Sequence, residues 1–368
     1  MTIITAAVAR EQGRPLAVEQ LHLDDIRPDE ARVRMVATGI CHTDAIVRDG
    51  VYPTPLPAVL GHEGAGVIEE VGAGVTSVRP GDHVVLSAAY CARCAECQAG
   101  RMAYCENLFA QDFGGRRADG STALSDMAGS LVSSHFFGQS SFGSYANVAE
   151  SSLIPVPKSA PLEVLAPLGC GLQTGSGSVL NELRPPAGSS IAVTGTGAVG
   201  LAAVMAARVI GCTTIIAVDL HERRLELARE LGATHAVKAS DGPLEEALLA
   251  ATGGRGVNYV LDTTAMPGVL TAAAQALAIR GTLALVGAAA PGTVAPFEIG
   301  LSLVKGWTFK TIIQGSSVPQ QFIPRLIDLW GQGRFPFDKL IRNYKLEDIN
   351  LAFGDSASGE TVKPVVVY

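Results

Sequence analysis

Positive charge is scarce in this chain: 28 Lys and Arg stand against 35 Asp and Glu, a formal net charge of −7. No basic run longer than two residues offsets the balance, which argues against a nucleic-acid footprint, because phosphate binding needs a basic face. A basic leader followed by an apolar block is missing from MTIITAAVAREQG, so no secretory segment is expected. The longest apolar stretch, Ile191 to Gly211, has the length of a membrane span. Thr and Gly interrupt it, however, and it lacks a positive flank and an aromatic belt. With no sign of an oxidising compartment, the seven cysteines read as reduced thiols of a cytosolic protein. What is present, 48% apolar and 17% charged residues over 368 positions, is the composition of a well-packed enzyme. The chain is too long for one comfortable core, so two domains are expected.

From about Val8 to Val156 the chain reads as short strands punctuated by Gly and Pro, as in GVIEEVGAGVTSVRPGDHVV, a barrel-like β region. From about Leu172 the texture becomes a strand–helix alternation, starting with IAVTG, AVGLAAVMAARVIG and TTIIAVD. Such alternation implies a parallel sheet covered on both faces. After about Gln314 it stops, and a closing helix and strand are placed to rejoin the first region. The expected class is α/β, with one domain over residues 1–171 and 315–368 and a second over 172–314.

Four cysteines fall within CARCAECQAGRMAYC: Cys91, Cys94 and Cys97 at CxxC steps, and Cys105 after seven more residues. CxxC steps let thiolates converge on one ion, and a four-thiolate zinc site follows. The rival iron–sulfur run places its fourth cysteine after three residues and before Pro, whereas Glu106 follows Cys105 here. A closed shell of four thiolates leaves no position for substrate, so this zinc holds a loop and the chemistry lies elsewhere.

Gly195, Gly197 and Gly200 form GTGAVG between an expected strand and helix, and Asp219 ends the next strand about 20 residues on. The glycines let the backbone approach a pyrophosphate at a helix N-terminus. Asp219 is expected to accept from adenosine ribose hydroxyls and to repel a 2′-phosphate, which selects NAD over NADP. Thr174, Val199 and Arg224 are further candidate cofactor contacts, although Arg223 and Arg224 also read as solvated charges of ERRLELARELG.

The segments GICHTD, GHEGAG and PLGCGLQTG, with the four-cysteine loop, GTGAVG and the terminal GETVKP, resemble the zinc-dependent medium-chain alcohol dehydrogenase family over essentially the whole chain. Through GICHTD, PLGCGLQTG and HFFGQSSF the resemblance is closest to aryl-alcohol (benzyl alcohol) dehydrogenases. It implies a GroES-like β-rich catalytic domain and a Rossmann doubly wound domain, with NAD in the cleft between them. It also implies a catalytic zinc on Cys41, His62 and Cys170, making two zinc ions per subunit. Thr43 takes the place of the hydroxyl that receives the alcohol proton, and His42 and Lys363 take those of cations facing the pyrophosphate. Asp44 and Glu63 correspond to carboxylates that orient His62 and tune the metal. Ile46 departs from members that carry a His there to end the proton relay. Cys212 matches no ligand position and reads as a buried apolar residue.

The activity so implied is reversible NAD-dependent oxidation of a small-molecule alcohol to its aldehyde by a homodimer or homotetramer. Phe136, Phe137 and Ser87 are the expected walls of an apolar slot suited to benzyl or cinnamyl alcohols. Allylic terpenols such as geraniol are the nearest competitors. Glutathione-dependent formaldehyde dehydrogenases share CHTDA and the cysteine loop, but usually carry an Arg where this chain has Phe109.

Overall fold

The computed structural model describes residues 2–368, which divide into two compact units. The first comprises residues up to Cys170 together with Val318–Ile327 and Asp338–Tyr368, and the second comprises Gly171–Ser317 and Asp328–Phe337. The boundaries read from sequence miss that last piece. Within the second unit Arg334 Nη2 donates to the Val209 carbonyl at 3.4 Å, a tie that no local pattern announces.

The first unit is built on two sheets. One joins five strands in the order Ala58–Val59, Thr2–Ala9, Ala17–Leu23, Leu124–Asp126 and Leu131–Val132. The alternation of AVEQLHL explains its role: Leu21 and Leu23 are buried while Val18 faces solvent. The other sheet centres on Glu30–Gly39, which pairs antiparallel with Gly64–Val71, Tyr145–Ala149 and the final strand Lys363–Val367. Val365 stands opposite Gly39, so the chain end closes beside the segment that leads to Cys41. Phe136, Phe142, Leu60 and Val59 lie at the centre of the core.

The second unit carries six parallel strands in the order His235–Lys238, Thr214–Asp219, Ser190–Thr194, Val257–Asp262, Leu277–Leu285 and Thr308–Thr311. Numbered along the chain this is 3-2-1-4-5-6, the order of the dinucleotide-binding fold. Both faces are covered, so the strands are almost continuously apolar, as in TIIAVD, where every residue after Thr214 is buried. The apolar stretch from Ile191 resolves into the strand Ser190–Thr194 and the helix Ala198–Ile210, whose residues Gly200–Ala207 are all buried. A helix that is apolar all round belongs in a core, and Gly211 ends it in the left-handed region at φ 94°. Among the described residues no helix is long and apolar enough to cross a membrane.

One charged cluster is built into the first unit away from the cysteines. Glu30, only 3% exposed, accepts from Arg117 Nε at 2.7 Å, from Arg117 Nη2 at 3.0 Å and from the Arg27 backbone N–H at 2.9 Å. His135 Nε2 lies 2.7 Å from the same carboxylate. Burial works against the charged form, but the His135 and Arg117 hydrogen bonds win and hold the carboxyl down to about 2, against 4.5 ordinarily. A depressed carboxyl stabilises the fold above its unfolded value. The contribution, about 3 kcal/mol, is therefore complete above pH 4.5 and disappears as pH falls from there toward 2. Glu30→Gln leaves buried Arg117 with only the half-exposed Asp24 carboxylate at 4.0 Å as counter-charge. Chemical denaturation at pH 7 is expected to show a loss of about 3–5 kcal/mol, shrinking as pH falls below 4.5. An equal loss at pH 7 and pH 3 contradicts this account.

Candidate active site

Cys41 caps the helix His42–Arg48, and its backbone N–H donates to Asp44 Oδ2 at 2.9 Å. The other Asp44 oxygen accepts from Gly61 N–H at 3.1 Å and lies 2.8 Å from His62 Nδ1. One fully buried carboxylate thus fixes two segments 20 residues apart. Gly61 allows the second to turn: its φ is 88°, and a Cβ there would meet the Phe142 ring at 2.5 Å. With Nδ1 committed, His62 leaves Nε2 as a buried atom with no hydrogen-bond partner among the described residues. Nε2 and the sulfurs of Cys41 and Cys170 lie within 4.8 Å of one another.

The electrostatics match that geometry. A hydrogen bond from the Cys170 thiol, aided by His62 and Lys363 and opposed by burial, holds the Cys41 thiol well below its usual range. Cys170 is pushed well up by Cys41 and by burial. Burial favours neutral His62, yet the Asp44 charge and hydrogen bond prevail and raise it well above the ordinary value. Two sulfurs and an orphaned imidazole nitrogen at this spacing fit a zinc ion that keeps an open fourth position. A dication would stabilise both thiolates and the neutral ring. Thr43 Oγ1 lies 3.8 Å from Cys41 Sγ, beside that position. Ile46 and Thr43 are half-buried on the same helix, and His42 is exposed at its first turn.

Lys363, expected as a pyrophosphate-facing cation, has its protein partners inside the first unit. It is 3% exposed, and its Nζ donates to Glu63 Oε1 at 3.1 Å, Glu63 Oε2 at 2.9 Å and the Ile40 carbonyl at 3.0 Å. An ammonium has three donor hydrogens, and all three are engaged inside the first unit. Glu63 correspondingly pairs with Lys363. Gly39 makes the room, since a Cβ there would meet Glu63 Oε2 at 2.0 Å.

The expected wall residues are deep. Ser87 is fully buried, and its hydroxyl donates to the Gly169 carbonyl at 2.7 Å. Phe136 is fully buried with its edge toward His62 at 5.6 Å, whereas Phe137 stacks on the His62 ring at 4.5 Å and 25°. Phe113 packs edge-on against Phe137 at 5.1 Å, and Phe109 is 64% exposed. Cys212 is buried, which pushes its thiol up to about 11.

In the four-cysteine loop the sulfurs of Cys91, Cys94, Cys97 and Cys105 also lie within 4.8 Å of one another, and none is in a disulfide. Cys94 caps the helix Ala95–Gln98 and accepts from Cys97 N–H at 3.5 Å, and Cys105 Sγ accepts from Cys91 N–H at the same distance. The backbone N–H of Arg93 leads in drawing the Cys91 thiol down to about 6. Burial, with Cys94 and Cys105 beside it, pushes Cys97 up to about 12. Four sulfurs so crowded cannot all ionise without a cation, and their convergence fits a closed tetrahedral zinc shell.

In the second unit the three glycines have separate tasks. Gly195 adopts φ 83°, and a Cβ on Gly200 would strike the Gly195 carbonyl at 1.9 Å. Gly197, at the helix N-terminus, has open space where a Cβ would stand, the room a pyrophosphate needs. Thr174 and Val199 are half-buried on two helices that meet at Gly175, whose Cβ would lie 1.9 Å from the Val199 carbonyl. Asp219 Oδ2 accepts from Thr196 N–H at 2.7 Å and Oγ1 at 2.8 Å, and Oδ1 from His221 N–H at 3.0 Å. Burial opposes ionisation, but these donors and Arg224 keep the carboxyl below its usual range. Three of roughly four acceptor positions are thereby taken, leaving fewer for a ribose than the sequence reading assumed. Arg224 is no solvated charge: its side chain is 18% exposed with Nη1 at 4.0 Å from Asp219, and its buried Nε has no hydrogen-bond partner among the described residues.

Sequence reasoning passed over Gln139, Asp112 and the Glu30 cluster. Asp112 is 1% exposed, and burial raises its carboxyl well above the ordinary range. A polar residue set among aromatics was the only available signal for Gln139 and Asp112.

Comparison with known proteins agrees with this construction. Residues 27–158 match the alcohol dehydrogenase GroES-like domain, and residues 198–330 match the zinc-binding dehydrogenase domain. Geraniol dehydrogenase of Castellaniella defragrans is 44% identical over 365 residues, covering 99% of this chain and 97% of that protein. An alcohol dehydrogenase zinc-binding domain protein from Burkholderia ambifaria superimposes with a TM-score of 0.97 at 54% identity, covering 100% of this chain and 99% of the other. Benzyl alcohol dehydrogenase from Acinetobacter calcoaceticus gives 0.96 at 45% identity with the same coverage. With the two cysteine sites and the nucleotide fold in place, these relationships assign the chain to the zinc-dependent medium-chain alcohol dehydrogenase family.

Proposed function

We propose that the protein is an NAD-dependent, two-zinc alcohol dehydrogenase that oxidises aromatic primary alcohols of the benzyl or cinnamyl type to their aldehydes, reversibly. The observation that carries the reading is the buried, unpartnered His62 Nε2 converging with two cysteine sulfurs. When bound, zinc supplies Lewis acidity and NAD accepts the hydride. The chain does the rest. Cys41, His62 and Cys170 hold the metal, and Asp44 fixes the ring that ligates it. The Thr43 hydroxyl receives the alcohol proton, and Ile46, having no titratable group, leaves solvent to take it onward. Phe137, buried flat on His62 with Phe113 packed against it, ties the aromatic cluster to the ring that ligates the metal. Geraniol-type alcohols are the second reading, supported by the relative of that name. By the resemblance, a glutathione-dependent enzyme would carry an Arg at the position of Phe109, which is exposed and offers no cation.

The metal assignment is tested by elemental analysis. Two zincs per chain are expected. Cys41→Ser is expected to keep one, bind NAD and lose turnover, whereas Cys94→Ser is expected to lower the thermal midpoint because its loop loses its anchor. Iron, or a single zinc in fully active enzyme, contradicts the assignment.

Cofactor choice is tested with Asp219→Asn, which keeps an acceptor for Thr196 while removing the charge that repels a 2′-phosphate. The ratio of kcat/KM for NADP over NAD is expected to rise about 10- to 100-fold, equivalent to about 1–3 kcal/mol. A wild type that prefers NADP at limiting cofactor overturns the reading of Asp219.

For substrate, kcat/KM is expected to rank benzyl and cinnamyl alcohols above geraniol, and geraniol far above ethanol, which forfeits ~0.8 kcal/mol per missing buried CH₂. Phe137→Leu is expected to lower the aromatic values about three- to tenfold with little change for geraniol. Geraniol ranking first in the wild type supports the second reading instead.

A further inference from the structure

Gln139 has no part in the ligand set and carries no charge, yet it is 1% exposed and makes three hydrogen bonds at the metal site. Its Oε1 accepts from Gly64 N–H at 3.0 Å, and its Nε2 donates to the His62 carbonyl at 3.0 Å and the Ser87 carbonyl at 3.3 Å. The carbonyl of His62 and the N–H of Gly64 point the same way from an extended segment. The side-chain amide therefore pairs with them as the peptide of a neighbouring parallel strand would. On the opposite edge the Glu63 carbonyl accepts from Gly39 N–H at 2.9 Å, so the His62 segment is clamped from both sides.

The contact with Ser87 extends the clamp to another ligand. The Ser87 hydroxyl donates to the carbonyl of Gly169, the residue before Cys170. A continuous path thus runs from His62 through Gln139 and Ser87 to the Cys170 turn. Gln139 also closes a segment in which His135, Phe137 and Ser140 hold positive φ values of 60°, 52° and 52°. Non-glycine residues persist in that region only where their surroundings over-determine them. In this segment the reward is visible, because Phe137 lies flat on the His62 ring.

We propose that Gln139 is a positioning residue for the catalytic metal: its amide sets the spacing between the turns bearing His62 and Cys170 and holds Phe137 against the imidazole. The proposal rests on the zinc alcohol dehydrogenase reading above. Groups that orient metal ligands are commonly worth 10- to 100-fold in affinity or activity, and the effect belongs to the catalytic zinc alone.

The test uses the full-length, zinc-loaded enzyme and a chromogenic chelator, with the catalytic phase of zinc release identified as the one missing in Cys41→Ser. Gln139→Met keeps the side-chain length and removes the amide. It is expected to speed the catalytic phase about 10- to 100-fold while leaving the four-cysteine phase within about twofold of wild type. The visible absorption of the cobalt-substituted site is expected to shift, reporting altered ligand geometry. Should Gln139→Met fail to fold, Ser87→Ala removes only the hydroxyl on Gly169 and is expected to speed the same phase about threefold or more. Both effects are expected to be non-additive in the double variant, because the two residues form one path. Unchanged release and unchanged cobalt absorption in a folded variant overturn the proposal, even if thermal stability or turnover falls, since a merely structural role accounts for those losses. A wild type from which Cys41→Ser removes no zinc overturns the metal reading itself, and this inference with it.

Discussion

The catalytic site depends on the Asp44 carboxylate. It is fully buried, and a buried charge is tolerated only when its oxygens are matched. Here the matches are the backbone N–H groups of Cys41 and Gly61 and the ring of His62. Each is on or beside one of the three clustered donors, so satisfying Asp44 places two of them. The same arrangement frees His62 Nε2, the atom that has no protein partner. Electrostatic need and ligand geometry are thus one constraint.

The two cysteine clusters are assembled in different ways. In the loop from Cys91 to Cys105, four sulfurs converge from a single short segment, and the backbone N–H groups that steady them are local. At Cys41, His62 and Cys170 the donors come from segments far apart in sequence, and the strand Gly64–Val71 and helix His42–Arg48 are needed to bring them together. A three-donor site leaves room for substrate, whereas a four-thiolate shell does not.

Charged groups departed most from their sequence-based roles. Lys363 resembles a phosphate-facing cation by its place in GETVKP, and the pairing of Val365 with Gly39 brings it to Glu63, a partner that its own segment does not announce. Arg224 reads as a surface helix charge, but the turn after Asp219 brings it against that carboxylate. Ser87 and Phe136 were read as wall residues, and the first instead hydrogen-bonds the chain beside Cys170 while the second fills the core. For Lys363 and Ser87 the partner lies on a segment that local sequence does not identify.

The sequence by itself determined what depends on short spacing. CxxC steps define the loop site, the GTGAVG turn requires glycines at Gly195 and Gly200 because a Cβ would strike Thr263 and the Gly195 carbonyl, and the strand–helix rhythm leads to the parallel sheet. The resemblance also identified Cys41, His62 and Cys170, which spacing alone leaves unconnected. Only the tertiary structure decided which polar groups face one another: Glu63 with Lys363, Glu30 with Arg117 and His135, and Gln139 with the backbone of His62, Gly64 and Ser87. The physical reason is range. Steric limits and turn geometry act between neighbours in the chain, whereas buried charges and amides are matched by whatever partner the closed core presents.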